Sequence, residues 1–215
     1  MSPDTAALEH LRAADPILRD VIDRYGPDGL NERREGGQRE HYGALVRAIV
    51  GQQLSTKAAA AIYRRLADRF GGREPRPQEI LDDDPEQLRA VGLSRAKVTF
   101  LRSLAEHVLD GSLELERLDR LGDEQVIAEL TAVKGIGVWS AQMFLIFHLG
   151  RPDVLAVGDL GIRKSMMRAY GLEALPAPAA MEEIAECWRP HRTLACRYLW
   201  RALDATPNPG EPDPV

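Results

Sequence analysis

The chain has 215 residues, 44% of them apolar and 28% charged, with two cysteines and a net charge of −5. That length and mix give room for one or two domains with cores large enough to fold unaided, and they exclude disulfide miniproteins, collagen-like chains and a mainly disordered chain. Cys187 and Cys196 are too few for a four-cysteine zinc or iron–sulfur cluster, and the negative total repels a polyanion, so any nucleic-acid site must be local.

Residues 1 to 10 carry no basic segment followed by an apolar stretch, and no run of about 18 apolar residues occurs anywhere. A soluble, cytoplasmic chain with no membrane partner is expected, and a monomer. Apolar positions recur three and four apart, with hardly any strict alternation, which predicts an all-α class. Asp15-Pro16 opens a helix through Ile17, Leu18, Val21, Ile22 and Tyr25, ended by Gly26-Pro27. Residues 31–40 read as a polar linker.

A helix with Tyr42, Leu45, Val46, Ile49 and Val50 on one face stops near Gly51, and Ser55 or Thr56 caps the next, which runs to Phe70. Between them lies a tight elbow, Gly51-Gln52-Gln53-Leu54. Short helices centred on Ile80 and Leu88 follow a Pro-rich loop, and Ser94 caps a longer helix to Asp110. Further helices are predicted at 123–132, 138–149, 160–170, 179–188 and 193–204, and residues 207–215, with four prolines, as a disordered tail. The five histidines show no i, i+4 pair, which argues against zinc.

The most informative stretch is Leu130 to Ala141, LTAVKGIGVWSA. Two glycines one residue apart turn the chain sharply and leave the amides of Gly135, Gly137 and Val138 at a helix N-terminus, where free N–H groups and the helix dipole favour a phosphate. A plain αα-turn with glycine caps is the other reading of these residues. Asp159 stands at the start of the next helix, 22 residues after Gly137; taken alone it is a good N-cap. Arg189, Arg192, Arg197 and Arg201 form a basic run with no acid between them, either a solvated face or a phosphate patch.

In combination these segments resemble the helix–hairpin–helix DNA glycosylase superfamily. Leu130–Ala141 is similar to its hairpin, and Asp159 falls where the superfamily keeps its catalytic aspartate. Ala48 to Ser55 resembles the element that enters the DNA, and Trp188-Arg189-Pro190-His191-Arg192 resembles a late helix start of the alkylated-base branch, the 3-methyladenine DNA glycosylase II type. The resemblance covers roughly residues 15–204. Lys134 departs from it by standing where the family usually has proline, and His191 and Met143 stand where pocket aromatics are common.

The resemblance implies a two-lobed fold without the extra N-terminal β domain, with residues 1–38 and 141–206 in one lobe and 39–140 in the other. It implies Asp159 as the catalytic group, Trp139, Met143, Trp188 and His191 in the base pocket, and Gln53 with Leu54 in the DNA stack. Gly135, Gly137, Val138, Arg163, Lys164 and Arg192 are expected on phosphates. The carbonyls of Thr131, Val133 and Ile136 are expected to hold a structural monovalent cation, Na or K, and catalysis to need no cofactor.

The function so implied is hydrolysis of the N-glycosidic bond of alkylated purines in double-stranded DNA, as the first step of base excision repair. Relatives that also nick DNA carry a lysine where this chain has Trp139, so a monofunctional enzyme is expected. A carboxylate suits the chemistry because the sugar develops oxocarbenium character and water must attack it. The base has to be flipped out first. The alternatives are a glycosylase for a neutral lesion such as 8-oxoguanine, hypoxanthine or uracil, and a non-catalytic helix–hairpin–helix module, which has no use for Asp159 or an intercalating elbow. A helical scaffold without nucleic acid leaves Gly135-Ile136-Gly137 unmotivated.

Overall fold

A computed structural model of the chain describes residues 3–26 and 40–204. Among these residues all regular structure is helical: twelve α-helices and two short 3-10 helices. The tail expected at 207–215, and the linker expected at 31–40 up to Glu40, lie outside the described residues. No helix among the described residues is long and apolar enough to cross a membrane. The chain divides into two compact units, Gly36–Leu149 and the combination of Met1–Glu35 with Gly150–Val215.

The continuous unit holds α3 (His41–Gly51), α4 (Thr56–Arg69), α5 (Pro77–Asp82), α6 (Pro85–Ala90), α7 (Arg95–Leu109), α8 (Asp123–Ala132) and α9 (Val138–Phe147). The stripe read on α3 is its buried face: Tyr42, Leu45, Val46, Ile49 and Val50 are all inside, and α3 packs on α4, α7 and α9. Ser55, not Thr56, caps α4 by accepting from the Ala58 amide at 3.3 Å, and Ser94 caps α7 through the Lys97 amide at 3.2 Å. Helix α9 is apolar almost all round and buries Ala141, Phe144, Leu145 and Ile146. A helix of that kind belongs inside a core. The lobe boundary expected between residues 140 and 141 falls inside α9, and the two compact units divide after Leu149.

The discontinuous unit holds α1 (Pro3–Ala14), α2 (Pro16–Tyr25), α10 (Leu160–Ala169), α11 (Pro178–Ala185) and α12 (Arg192–Asp204). Its core gathers Leu11, Leu18, Ile22, Ile162, Met166, Met181, Trp188, Cys196, Tyr198 and Leu199. Asp15, only 6% exposed, is the polar centre of this core. Its Oδ1 accepts from the amides of Ile17 (2.9 Å) and Leu18 (3.0 Å), while Oδ2 accepts from Trp188 Nε1 (2.8 Å) and the Tyr170 hydroxyl. Burial and that aspartate hold the Tyr170 phenol far above its ordinary range.

Two elements were not expected. Helix α1 buries Ala7, Leu8 and Leu11, and because most of its apolar positions are alanine only two leucines mark the buried face. The 3-10 turn Leu115–Arg120 buries only Leu118 and is too short to show a period. The segment expected as one helix over 179–188 is α11 followed by a 3-10 turn, Glu186–Trp188.

Candidate active site

The hairpin between α8 and α9 is built by backbone bonds. Val133 N donates to Leu130 O at 3.2 Å, and Ile136 N to Val133 O at 3.1 Å. Gly135 takes φ +92°, and a Cβ there would stand 2.1 Å from the Phe100 ring. Glycine is thus fixed twice, by conformation and by the ring of α7. Gly137 is different: its φ is −92°, and a Cβ would meet nothing within 4 Å. It keeps an open approach to the start of α9, where no side chain caps the helix and Val138 is 53% exposed. Amides at such an uncapped end suit an anion. Lys134 is exposed, but its amide donates to Ser103 Oγ at 3.3 Å, a bond that proline at this position would forfeit.

The elbow Gly51–Leu54 lies in the same unit. Leu54 N closes it on Gly51 O at 3.2 Å, and Lys97 Nζ holds the Val50 carbonyl at 2.8 Å. Gln53 is the single described non-glycine residue at positive φ, +57°, which turns its exposed side chain outward at the crest. Leu54 beside it is 39% exposed. The neighbouring amide points inward: Gln52 Nε2 donates to Gly135 O at 2.8 Å and approaches Ser140 Oγ at 3.4 Å. Elbow and hairpin are joined by this residue, which sequence reasoning passed over because Gln52 and Gln53 look alike in a string.

Trp139 and Met143 share one face of α9, four residues apart. Trp139 is 44% exposed and Met143 half-buried. Both ends of α9 reach solvent, with Val138 and Trp139 exposed in its first turn and Phe147 in its last. Thr131 turns its hydroxyl back to the carbonyls of Ile127 (2.7 Å) and Ala128 (3.2 Å). Of the three carbonyls expected to hold a monovalent cation, that of Val133 accepts from the Ile136 amide at 3.1 Å.

In the discontinuous unit, Asp159 is the N-cap of α10. Its Oδ1 accepts from the Ile162 amide at 2.8 Å and from Trp200 Nε1 of α12 at 2.9 Å. Gly161 makes the second bond sterically possible: a Cβ there would lie 3.0 Å from Asp159 Oδ1 and 3.2 Å from Trp200 Cδ1. Trp200 was missed because a tryptophan on an amphipathic helix reads as core. Cys196 of the same helix is fully buried, which pushes its thiol up to about 12 and leaves it inert.

Three of the expected site residues have partners within the protein. Trp188 is wholly buried, and its Nε1 is committed to Asp15, so it is a core residue with no face for a base. Arg192 forms a two-pronged pair with Asp153 (Nε to Oδ1 2.7 Å, Nη2 to Oδ2 3.0 Å) and also reaches the Asp153 carbonyl at 2.7 Å. Its guanidinium is structural, and Asp153 binds Arg189 as well, at 2.8 Å. Half of the basic run is thereby neutralised by an acid some forty positions upstream. Arg163 spends Nε on the Pro176 carbonyl at 3.1 Å, while Lys164 is exposed. His191 is half-buried and meets the ring of His10 edge-on at 5.3 Å.

The histidines are less scattered than their spacing suggests. His41 Nδ1 and His148 Nε2 are 2.7 Å apart, with Asp119 Oδ2 3.1 Å from the far nitrogen of His41. Among the described residues no group of three or more His, Cys, Asp or Glu side chains is arranged to hold a metal ion.

The HhH-GPD superfamily of base excision DNA repair proteins matches residues 46–190. Over 199 residues the chain is 37% identical to DNA-3-methyladenine glycosylase 1 of Schizosaccharomyces pombe, covering 92% of this chain and 86% of the relative. The solved structure of the S. pombe 3-methyladenine DNA glycosylase Mag1 in complex with abasic DNA superposes with a TM-score of 0.81 at 36% identity, over 91% of this chain and 95% of that one. DNA-3-methyladenine glycosidase from Bacillus halodurans gives 0.80 at 36% identity, over 95% and 90% of the two chains. The chain belongs to the HhH-GPD superfamily of base excision DNA repair proteins.

Proposed function

We propose that this protein is a monofunctional DNA glycosylase that hydrolyses the N-glycosidic bond of alkylated purines of the 3-methyladenine type in double-stranded DNA. The observation that carries the reading is Asp159: a half-buried carboxylate at a helix start, fixed by the Ile162 amide and the Trp200 indole, in a chain 37% identical to a 3-methyladenine glycosylase. An N-cap needs only the amide bond; the indole adds orientation that a cap does not require.

In the proposed reaction the bond from C1′ to the base nitrogen breaks, and its electron pair leaves with the base. Asp159 stabilises the cationic sugar by charge and orients a water, whose oxygen bonds to C1′ as its proton passes to the carboxylate and from there to solvent. Before that step the base must leave the stack. Gln53 and Leu54, exposed at the crest of the elbow, are assigned to the vacated space, and Trp139 with Met143 to the extruded base. The amides of Gly135, Gly137 and Val138, together with Lys164, are assigned to phosphates. A Na or K ion on the carbonyls of Thr131, Val133 and Ile136 would add positive charge beside the same phosphate.

The test is single-turnover base release from duplexes carrying defined lesions. Release of alkylated purines with the strand left intact is expected; DNA binding with no release from any lesion would overturn the reading. Borohydride should trap no covalent adduct, since the position of the nicking relatives' lysine is Trp139 here.

A further inference from the structure

Gln52 and Gln53 are adjacent and chemically identical, yet the backbone sends them opposite ways. Gln52 ends α3 with φ −51° and ψ 130°, and Gln53 then takes φ +57°. The first side chain is half-buried and the second exposed. The inward one spans 83 positions of sequence to place its amide on the Gly135 carbonyl at 2.8 Å, with Ser140 Oγ at 3.4 Å. Both receivers are themselves fixed, Gly135 against the Phe100 ring and Ser140 buried in the first turn of α9, next to Trp139. Lys97 anchors the root of the elbow through Val50 O. Gln52 therefore joins the exposed crest of the elbow to the start of α9, whose N-terminal amides no side chain caps.

We propose that Gln52 is a positioning residue that locks the elbow in register with the hairpin, so that gripping a phosphate at α9 and filling the stack with Gln53 occur as one rigid movement. This rests on the glycosylase reading above. The chemistry is specific to a donor. The Gly135 carbonyl can only accept, so an amide at 52 binds it, while a carboxylate of the same shape repels it until protonated. Packing alone would not distinguish the two.

The test uses the full chain with Gln52→Ala and Gln52→Glu. It reads affinity for abasic duplex, base extrusion by the fluorescence of a neighbouring 2-aminopurine, and single-turnover release. Gln52→Ala is expected to bind abasic DNA within about twofold of the parent while extrusion and release slow about tenfold, since the hairpin amides remain but the link is lost. Gln52→Glu is expected to be equally slow at neutral pH and to recover toward the parent as pH falls and its carboxyl protonates. Equal losses of binding and release in Gln52→Ala, or a Gln52→Glu profile parallel to the parent's at every pH, would overturn the proposal. Should Gln52→Ala not fold, the isosteric Gln52→Glu profile decides alone. A parent that releases no base sinks the glycosylase reading, and 2-aminopurine extrusion still tests Gln52.

Discussion

Trp200 donates its indole N–H to Oδ1 of Asp159 at 2.9 Å, across a gap that Gly161 keeps open. Hydrogen bonds to charged groups are worth about 1.5–3 kcal/mol, enough to hold a carboxylate in one rotamer. Trp200→Phe is expected to leave the fold intact and slow base release by about tenfold or more. Gly161→Ala separates the two roles further. Position 161 has ordinary helical backbone, so alanine should raise helix stability by up to about 1 kcal/mol while pushing the indole off Asp159. The melting temperature and the single-turnover rate of this variant should therefore move in opposite directions. A variant both more stable and fully active would detach Trp200 from the chemistry.

Asp159→Asn keeps an oxygen to cap α10 and to meet the indole, but it removes the negative charge. Near-parental stability with loss of base release is expected, because an amide cannot balance a cationic sugar by charge. Measured stability decides between roles. Loss of several degrees in melting temperature together with activity would return Asp159 to a purely structural cap.

The same physics explains what could be read without coordinates. Helix α3, the α4 and α7 caps and Asp15 were legible because local rules govern them: a 3.6-residue period, a serine before a run of helix formers, a proline at the first helical position. The N-cap at Asp159 and the turn at the glycine hairpin were legible for the same local reason, while their assignment to a site came from the resemblance. The roles of Gln52, Trp200 and Asp153 were not. Each depends on a partner far away in sequence: Gly135 for Gln52, Asp159 for Trp200, and Arg192 for Asp153. Trp188 misled for the converse reason, since the aspartate that buries its indole N–H lies 173 positions earlier.

Asp15 offers a stability prediction independent of activity. Its two oxygens satisfy two amides, the Trp188 indole and the Tyr170 hydroxyl inside the core. Asp15→Ala removes the α2 cap and strands two buried donors, which should cost about 3–5 kcal/mol. Asp15→Asn retains one acceptor but offers an N–H₂ to groups that are themselves donors, so about half of that loss is expected. Urea unfolding followed by the emission of the buried tryptophan measures both. A loss under about 1 kcal/mol for Asp15→Ala would mean that the network contributes little.

The substrate ranking follows from which protons the site can supply. Asp159 Oδ1 accepts from the Ile162 amide and the Trp200 indole, and in the proposed reaction the group acts by its charge and not as an acid. His191 meets His10 edge-on and is held through its amide to Trp188 O at 2.8 Å. The proposed reaction uses no general acid, and it therefore suits a base that leaves without being protonated. N3- or N7-alkylated purines meet that condition, because their positive charge weakens the glycosidic bond. The charge also favours the open face of Trp139, where a cation over an aromatic ring gains about 0.5–2 kcal/mol. Release of 3-methyladenine is therefore expected to outpace release of hypoxanthine, uracil and 8-oxoguanine, and Trp139→Ala should slow it more than Met143→Ala. Competition between methylated DNA and duplexes carrying each neutral lesion, followed by base release, checks both statements. Faster excision of 8-oxoguanine or uracil would remove the alkylated-base assignment and point to a proton donor elsewhere, without bearing on the role proposed for Asp159.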